Sequence, residues 1–240
     1  MSFGNTTTVE AAFGGPQSLL TQLGDESNAN VVPVKYNDWD TFNGATDGAQ
    51  KIDAALHAAD PSQKIVLVGH SYGAVANCVW LRTLGLTSTI SPSRLTIVNA
   101  ANSIRPGGAG AQPSGLSSEL WLYLPVGPVS TKWTVYDCAR EFDKWADYPN
   151  VSSSQYYWQA LGNVGAGDNT TGIGSVNGVP NNIHNSYQQV SLTDPNAAHT
   201  QVGSVKFMLF KTTPMPNASG CTWAQINSAY NRIVTPTWSN

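Results

Sequence analysis

The sequence predicts an α/β fold, with a central, mostly parallel sheet and helices on both faces. Three observations carry this. Apolar runs of strand length alternate with amphipathic stretches of helix length through the first hundred residues, the pattern of strand-helix-strand units. One segment, Ile65-Val-Leu-Val-Gly-His-Ser-Tyr-Gly-Ala-Val75, reads as a strand, a sharp turn and a helix in immediate succession. The length, 240 residues, suits one α/β domain, since such domains run to about 250 residues, so residues 1–240 are expected to form a single domain.

Taken in order, Thr6–Phe13 is a strand candidate that ends at Gly14-Gly15-Pro16, and Gln17–Leu23 is a short helix. Val31–Tyr36 is the second strand. Thr46–Ala59 is a helix, because Ala49, Ile52, Leu56 and Ala59 share a stripe, and Asp60-Pro61 stops it. Ile65–Val68 is a strand, Gly73–Leu84 a helix and Leu95–Asn99 a strand. The second half is looser. Ser103–Ser118 is rich in Gly, Pro and Ser and reads as a loop. Lys132–Ala139 alternates around Trp133, Val135 and Tyr136 as a strand does. Gln155–Leu161 suits one or two helical turns, Gly162–Asn182 a long loop or a pair of turns, and Val205–Phe210 the last strand. Trp223, Ile226, Tyr230 and Ile233 form a core-facing stripe on a C-terminal helix. Trp121-Leu-Tyr-Leu124 reads as core or as a lipid-contacting lid.

Composition narrows the function classes. Charged residues are 11% of the chain, the net charge is −3 and no basic run occurs, so nucleic-acid binding has no electrostatic support. Abundant aromatics, with eight Trp, argue against disorder. A polar but uncharged surface of this kind is found on secreted proteins and virion parts. Met1–Thr8 lacks a basic n-region and an apolar h-region, so no signal peptide is expected. No apolar stretch approaches the ~20 residues that span a bilayer. Cys78, Cys138 and Cys221 have no metal-ligand spacing, so no metal is expected. Cys78 reads as a small core residue, and a Cys138–Cys221 disulfide is left open.

The Gly69-His70-Ser71-Tyr72-Gly73 turn carries the chemistry. A serine at a tight strand-to-helix turn needs small neighbours, and the helix start that follows offers N–H groups to a developing oxyanion. Ser71 is therefore the candidate nucleophile. The backbone N–H of Tyr72 and a second N–H from the early strand-ending loop, at Gly15, are the candidate oxyanion donors. A serine needs a histidine base and an orienting acid. Of the four histidines, His57 reads as a surface residue, and His70 as directed away from Ser71 by the turn. His184 and His199 remain, both in loop-like sequence downstream. For the acid, Asp137 lies inside a strand pattern, whereas Asp143 and Asp147 lie beyond it, where such acids sit. Composition does not choose between those two.

Arg140-Glu-Phe-Asp143-Lys-Trp-Ala-Asp147-Tyr-Pro149 resembles the R-E-Y-D-x-x-A-D-x-P signature of the mycobacterial PE-PPE domain, a family of cutinase-like serine esterases. The elbow is similar to the family's Gly-Tyr-Ser-Gln-Gly-Ala form, Ile183-His184-Asn-Ser-Tyr187 to its V-H-x-x-Y element, and Phe207–Thr213 with Pro214, more loosely, to its closing strand. The resemblance implies an α/β-hydrolase (cutinase-like) fold, with Ser71 as nucleophile, Asp143 as acid and His184 as base; Asp147 and His199 are the fallback residues. Two departures stand out. The disulfides that brace secreted cutinases have no clear equivalent, and His70 and Tyr72 replace the family's Tyr and Gln. The resulting expectation is a serine esterase acting on acyl, lipid-like esters through an acyl-enzyme, without cofactor. The rival expectation is a non-catalytic hydrolase-like module of a virion or cell-surface assembly; the missing signal peptide fits a phage-encoded protein, either a virion component or one released by lysis.

Overall fold

A computed structural model describes residues 6–12, 29–37, 40, 43–111, 127–141, 143, 145–147, 184, 187 and 190–211. Gly15, Cys221 and the segments expected as Gln17–Leu23, Trp121–Leu124, Gln155–Leu161 and the C-terminal stripe lie outside the described residues.

The strands are β1 (Thr6–Ala12), β2 (Ala29–Pro33), β3 (Lys64–His70), β4 (Leu95–Ala100), β5 (Thr134–Arg140), β6 (Ala198–Val202) and β7 (Val205–Phe210). They form one seven-stranded sheet in the order β2-β1-β3-β4-β5-β7-β6. All pairings are parallel except β6 with β7. Strand order reverses at β1, and in an open parallel sheet the crevice at such a reversal, beyond the carboxyl ends of the strands, is where ligands bind. Register aligns those ends: Ala12 pairs with His70, His70 with Ala100, and Arg140 with Phe210.

Among the described residues two α-helices connect strands, α1 (Gly44–Ala58) between β2 and β3 and α2 (Tyr72–Arg82) between β3 and β4. Both pack on one face of the sheet. Ala45, Ala49, Ile52 and Leu56 recur at three- and four-residue spacing on α1 and are buried against α2 and the sheet. Fully burying a side chain such as Leu56 contributes about 1.5–3 kcal/mol. Every residue of α2 from Tyr72 to Leu81 is buried, as befits a helix enclosed on all sides, and Trp80 Nε1 donates to Asp53 of α1 at 2.9 Å. Ile65 and Leu67 of β3 face these helices, while Val66 and Val68 face the other side. There, among the described residues, Tyr187, Val190, Leu192 and Ala197 cover the sheet.

Several boundaries shift from expectation. The second strand starts earlier and stops at Pro33 rather than Tyr36, where pairing with Glu10 ends. Helix α1, expected from Thr46, begins at Gly44, two residues ahead, with the Gly44 N–H donating to the Asp40 carbonyl at 2.7 Å. It ends before Asp60-Pro61 because a residue preceding proline disfavours helical geometry; Ala59 is extended, and Asp60 accepts the Ser62 N–H at 2.8 Å. The second helix gives way at Arg82 to a 3-10 turn, Leu84–Leu86. The last β-hairpin is the main correction. Ala198–Val202, read as loop, is an antiparallel edge strand, with His199 opposite Met208. Among the described residues no helix is long and apolar enough to cross a membrane.

Candidate active site

Ser71 sits between β3 and α2 at φ 54, ψ −119, a strained conformation for a residue with a Cβ. Its N–H is fixed by the Ala100 carbonyl of β4 at 2.9 Å, and its own carbonyl accepts from the Ala74 and Val75 N–H groups of α2. The main chain is thereby tied to both sheet and helix, and the hydroxyl is left for other partners. Gly69 makes the turn feasible. A Cβ there would lie 2.6 Å from both Asn77 Nδ2 and the Gly73 carbonyl oxygen, so only glycine lets α2 approach β3 this closely.

His184 stands across from the serine. Its Nε2 is 2.9 Å from Ser71 Oγ, and its Nδ1 lies 2.9 and 3.1 Å from the two carboxylate oxygens of Asp143. Asp143 follows the end of β5 and is fully buried. Its Oδ1 also accepts the N–H groups of Trp145 and Ala146 at 2.9 and 3.3 Å, and its Oδ2 accepts the Tyr187 hydroxyl at 2.7 Å. Burial works against charge on Asp143, but His184, the Tyr187 hydroxyl and the Trp145 N–H outweigh it and hold the carboxyl down to about 2. It is thus an anion at any working pH. Burial and the adjacent Asp143 push the Tyr187 phenol well above its ordinary value, so it remains a donor.

The other candidates lie apart from this group. Asp147 is buried, and its N–H donates to the Asp143 carbonyl at 2.7 Å; that bond closes the turn that presents Asp143. His199 is exposed on β6. His57 is exposed on α1, with Nδ1 2.9 Å from the Asp53 carbonyl. Asp137 lies on the helix-facing side of β5, paired with the buried Arg105 at 2.8 Å and accepting from Asn102 at 2.7 Å. Tyr72, the candidate oxyanion donor, is the first residue of α2. Its buried hydroxyl accepts the Ala45 N–H at 3.0 Å and donates to the Asp40 carbonyl at 3.3 Å, tying the elbow to the start of α1. Cys78 and Cys138 are buried free thiols.

Sequence reasoning missed two neighbours of the site. Tyr187 is one; its spacing from His184 was visible, its bond to Asp143 was not. His70 is the other, expected to point away. Strand parity puts it on the face opposite the helices, together with Val66 and Val68, which is the face where His184 and Tyr187 lie. His70 Nε2 is 2.7 Å from the His184 carbonyl oxygen, and its ring lies 5.1 Å from that of His184 and 5.8 Å from that of Tyr187.

Burial and the neighbouring His184 push His70 down to about 4; its bond to the His184 carbonyl and the charge of Asp143 act in the opposite direction but are outweighed. The folded protein therefore refuses a proton that the unfolded chain accepts near 6.5. The stability this confers is complete above about 6.5 and is lost as the pH falls toward 4. Asp143 acts in a lower window, between about 3.8 and 2. Thermal melts should accordingly show the wild type losing more melting temperature than His70→Phe between about pH 6.5 and 4.5. Parallel curves for the two proteins would contradict a His70 held neutral by its surroundings.

An open, mostly parallel sheet reversing at β1, with a serine on a strained turn between β3 and the following helix, defines the α/β-hydrolase fold. No family model matches the chain, and no curated protein matches it. Among solved structures it is similar to a cutinase-like protein from Cryptococcus sp., at 20% identity and TM-score 0.42, over 60% of this chain and 79% of that one. A metagenomic carboxyl esterase is similar at 15% identity and TM-score 0.41, over 95% and 70% of the two chains. An acetylxylan esterase is similar at 17% identity and TM-score 0.40, over 66% and 96%.

Proposed function

We propose that the protein is a serine esterase of the cutinase-like, PE-PPE type, cleaving acyl esters through an acyl-enzyme on Ser71. The observation that carries this reading is the chain of hydrogen-bonding contacts from Ser71 Oγ through His184 to the Asp143 carboxylate. In the proposed mechanism His184 Nε2 takes the Ser71 proton as Oγ attacks the ester carbonyl. Asp143 holds Nδ1–H and stabilises the imidazolium. The Tyr72 N–H and the Gly15 N–H receive the oxyanion. The imidazolium then protonates the leaving alcohol, and water, activated by the same nitrogen, releases the acid. No cofactor enters this scheme. A lipid-like acyl group and association with a virion or cell envelope rest on the family resemblance and the uncharged polar composition.

Labelling with a fluorophosphonate tests the proposal. Wild type is expected to take up one equivalent on Ser71 and to hydrolyse p-nitrophenyl acetate. A folded wild type that resists the probe would favour a non-catalytic module. His184→Ala is expected to cost nearly as much turnover as loss of the serine, because the two act as one unit, while the exposed His199→Ala changes kcat little. The opposite ranking in a kcat comparison would move the base to His199.

A further inference from the structure

We infer that His70 is a positioning residue for the base: its Nε2–H holds the main-chain carbonyl of His184, while the next residue, Ser71, engages the same histidine through its side chain. The inference rests on the reading of Ser71 and His184 as nucleophile and base. The two anchors come from consecutive residues of one turn. His70 Nε2 lies 2.7 Å from the His184 carbonyl oxygen, and Ser71 Oγ lies 2.9 Å from His184 Nε2. The turn that bears them is itself fixed by the Ala100 carbonyl. His184 is otherwise remote in the chain, 113 residues from Ser71, so nothing local sets its distance from the nucleophile.

The arrangement has a specific mechanical consequence. During turnover the imidazole must take a proton from Ser71 and hand it to the leaving group, which requires a small swing of the ring. Asp143 steadies the far side of the ring through Nδ1. His70 steadies the main chain from which the ring hangs, so the pivot stays put while the ring moves. A carbonyl accepts but does not donate, so His70 must carry its proton on Nε2 for the clamp to exist. Burial keeps the ring neutral, which also avoids placing a second cation 5.1 Å from the imidazolium that forms on His184.

Three variants of the full chain test this. His70→Phe keeps the ring against His184 and Tyr187 but removes the donor; His70→Gln restores an N–H at similar reach. His70→Phe is expected to lower kcat for p-nitrophenyl acetate and the rate constant of fluorophosphonate labelling in step, by roughly 10- to 100-fold, the scale of a misplacement near 1 Å. KM and the final labelling stoichiometry should stay near wild type, because the clamp acts on the main chain of His184 and not on substrate. His70→Gln should regain most of the loss. His70→Leu serves as the donor-free variant where the Phe protein does not fold. Independently of turnover, the imidazole nitrogen resonances of wild type should report His70 as the Nε2–H tautomer at neutral pH. A folded donor-free variant with wild-type rates, a Gln variant no better than Phe, or an Nδ1–H tautomer would each overturn the clamp. A wild type that resists the probe would strike the nucleophile reading itself, and the clamp with it, whereas a labelled wild type with an equally fast Phe variant would strike the clamp alone.

Discussion

Replacing Ser71 by alanine is expected to cut hydrolysis of p-nitrophenyl acetate by ~10³-fold or more while leaving the melting temperature close to wild type. The reasons are structural. Ser71 Oγ makes its contact with His184 Nε2, whereas the bonds that hold the turn, to Ala100, Ala74 and Val75, are all main-chain. Alanine has the same Cβ and meets the same φ of 54, so the strain is unchanged and only the hydroxyl is removed. Residual catalysis would come from the oxyanion donors and from binding. The measurement is kcat beside a thermal melt. Near-wild-type kcat in a folded variant would end the serine-hydrolase reading.

The second large effect concerns the acid. Asp143→Asn is expected to lower kcat by about 10⁴, the scale set by the serine-protease template. The surroundings of Asp143 show what an amide would lose. Oδ1 accepts from the Trp145 and Ala146 N–H groups, and Oδ2 accepts from the Tyr187 hydroxyl. An asparagine that keeps its oxygen toward the main-chain donors retains an acceptor 2.9 Å from His184 Nδ1, but it aims its NH2 at the Tyr187 hydroxyl, which loses its acceptor, and at the same Nδ1, 3.1 Å from Oδ2. The reverse orientation sets NH2 against two N–H groups. Either way the charge opposite the imidazolium is gone. Asp147→Asn should instead lower the melting temperature while kcat stays within about an order of magnitude, since its mechanism is a buried polar change away from the imidazole. Measuring kcat and melting temperature for both variants checks the pair; a greater kcat loss for Asp147→Asn would exchange their roles.

Much of the fold was legible because it is encoded locally. The run Ile65–Val68 and the spacing Gly69-x-Ser71-x-Gly73 specify a strand, a turn and a helix from adjacent residues, and the stripe of Ala49, Ile52 and Leu56 specifies an amphipathic helix in the same way. Val205–Phe210 was bounded as observed. The hairpin partner was not. Ala198–Val202 is exposed along most of its length and carries no apolar alternation, so its strand character comes from pairing with β7, which no local pattern announces. Strand parity would have placed His70 on the face away from the helices. Its bond to a carbonyl 114 residues further on was beyond any such rule.

The chain by itself determined the alternation that builds a parallel sheet, the serine turn and its place at the end of a strand, and the small set of histidines and aspartates able to serve it. Tertiary structure alone decided which of these meet. Asp143 and Asp147 have the same chemistry and both lie beyond β5, yet the turn closed by the Asp147 N–H on the Asp143 carbonyl brings the Asp143 carboxylate to His184, 41 residues away. The physical reason is range. Secondary structure and turns follow from interactions within a few residues, whereas the distance between Ser71 and His184 follows from sheet register, strand facing and loop closure across more than a hundred residues, none of which leaves a local trace in sequence.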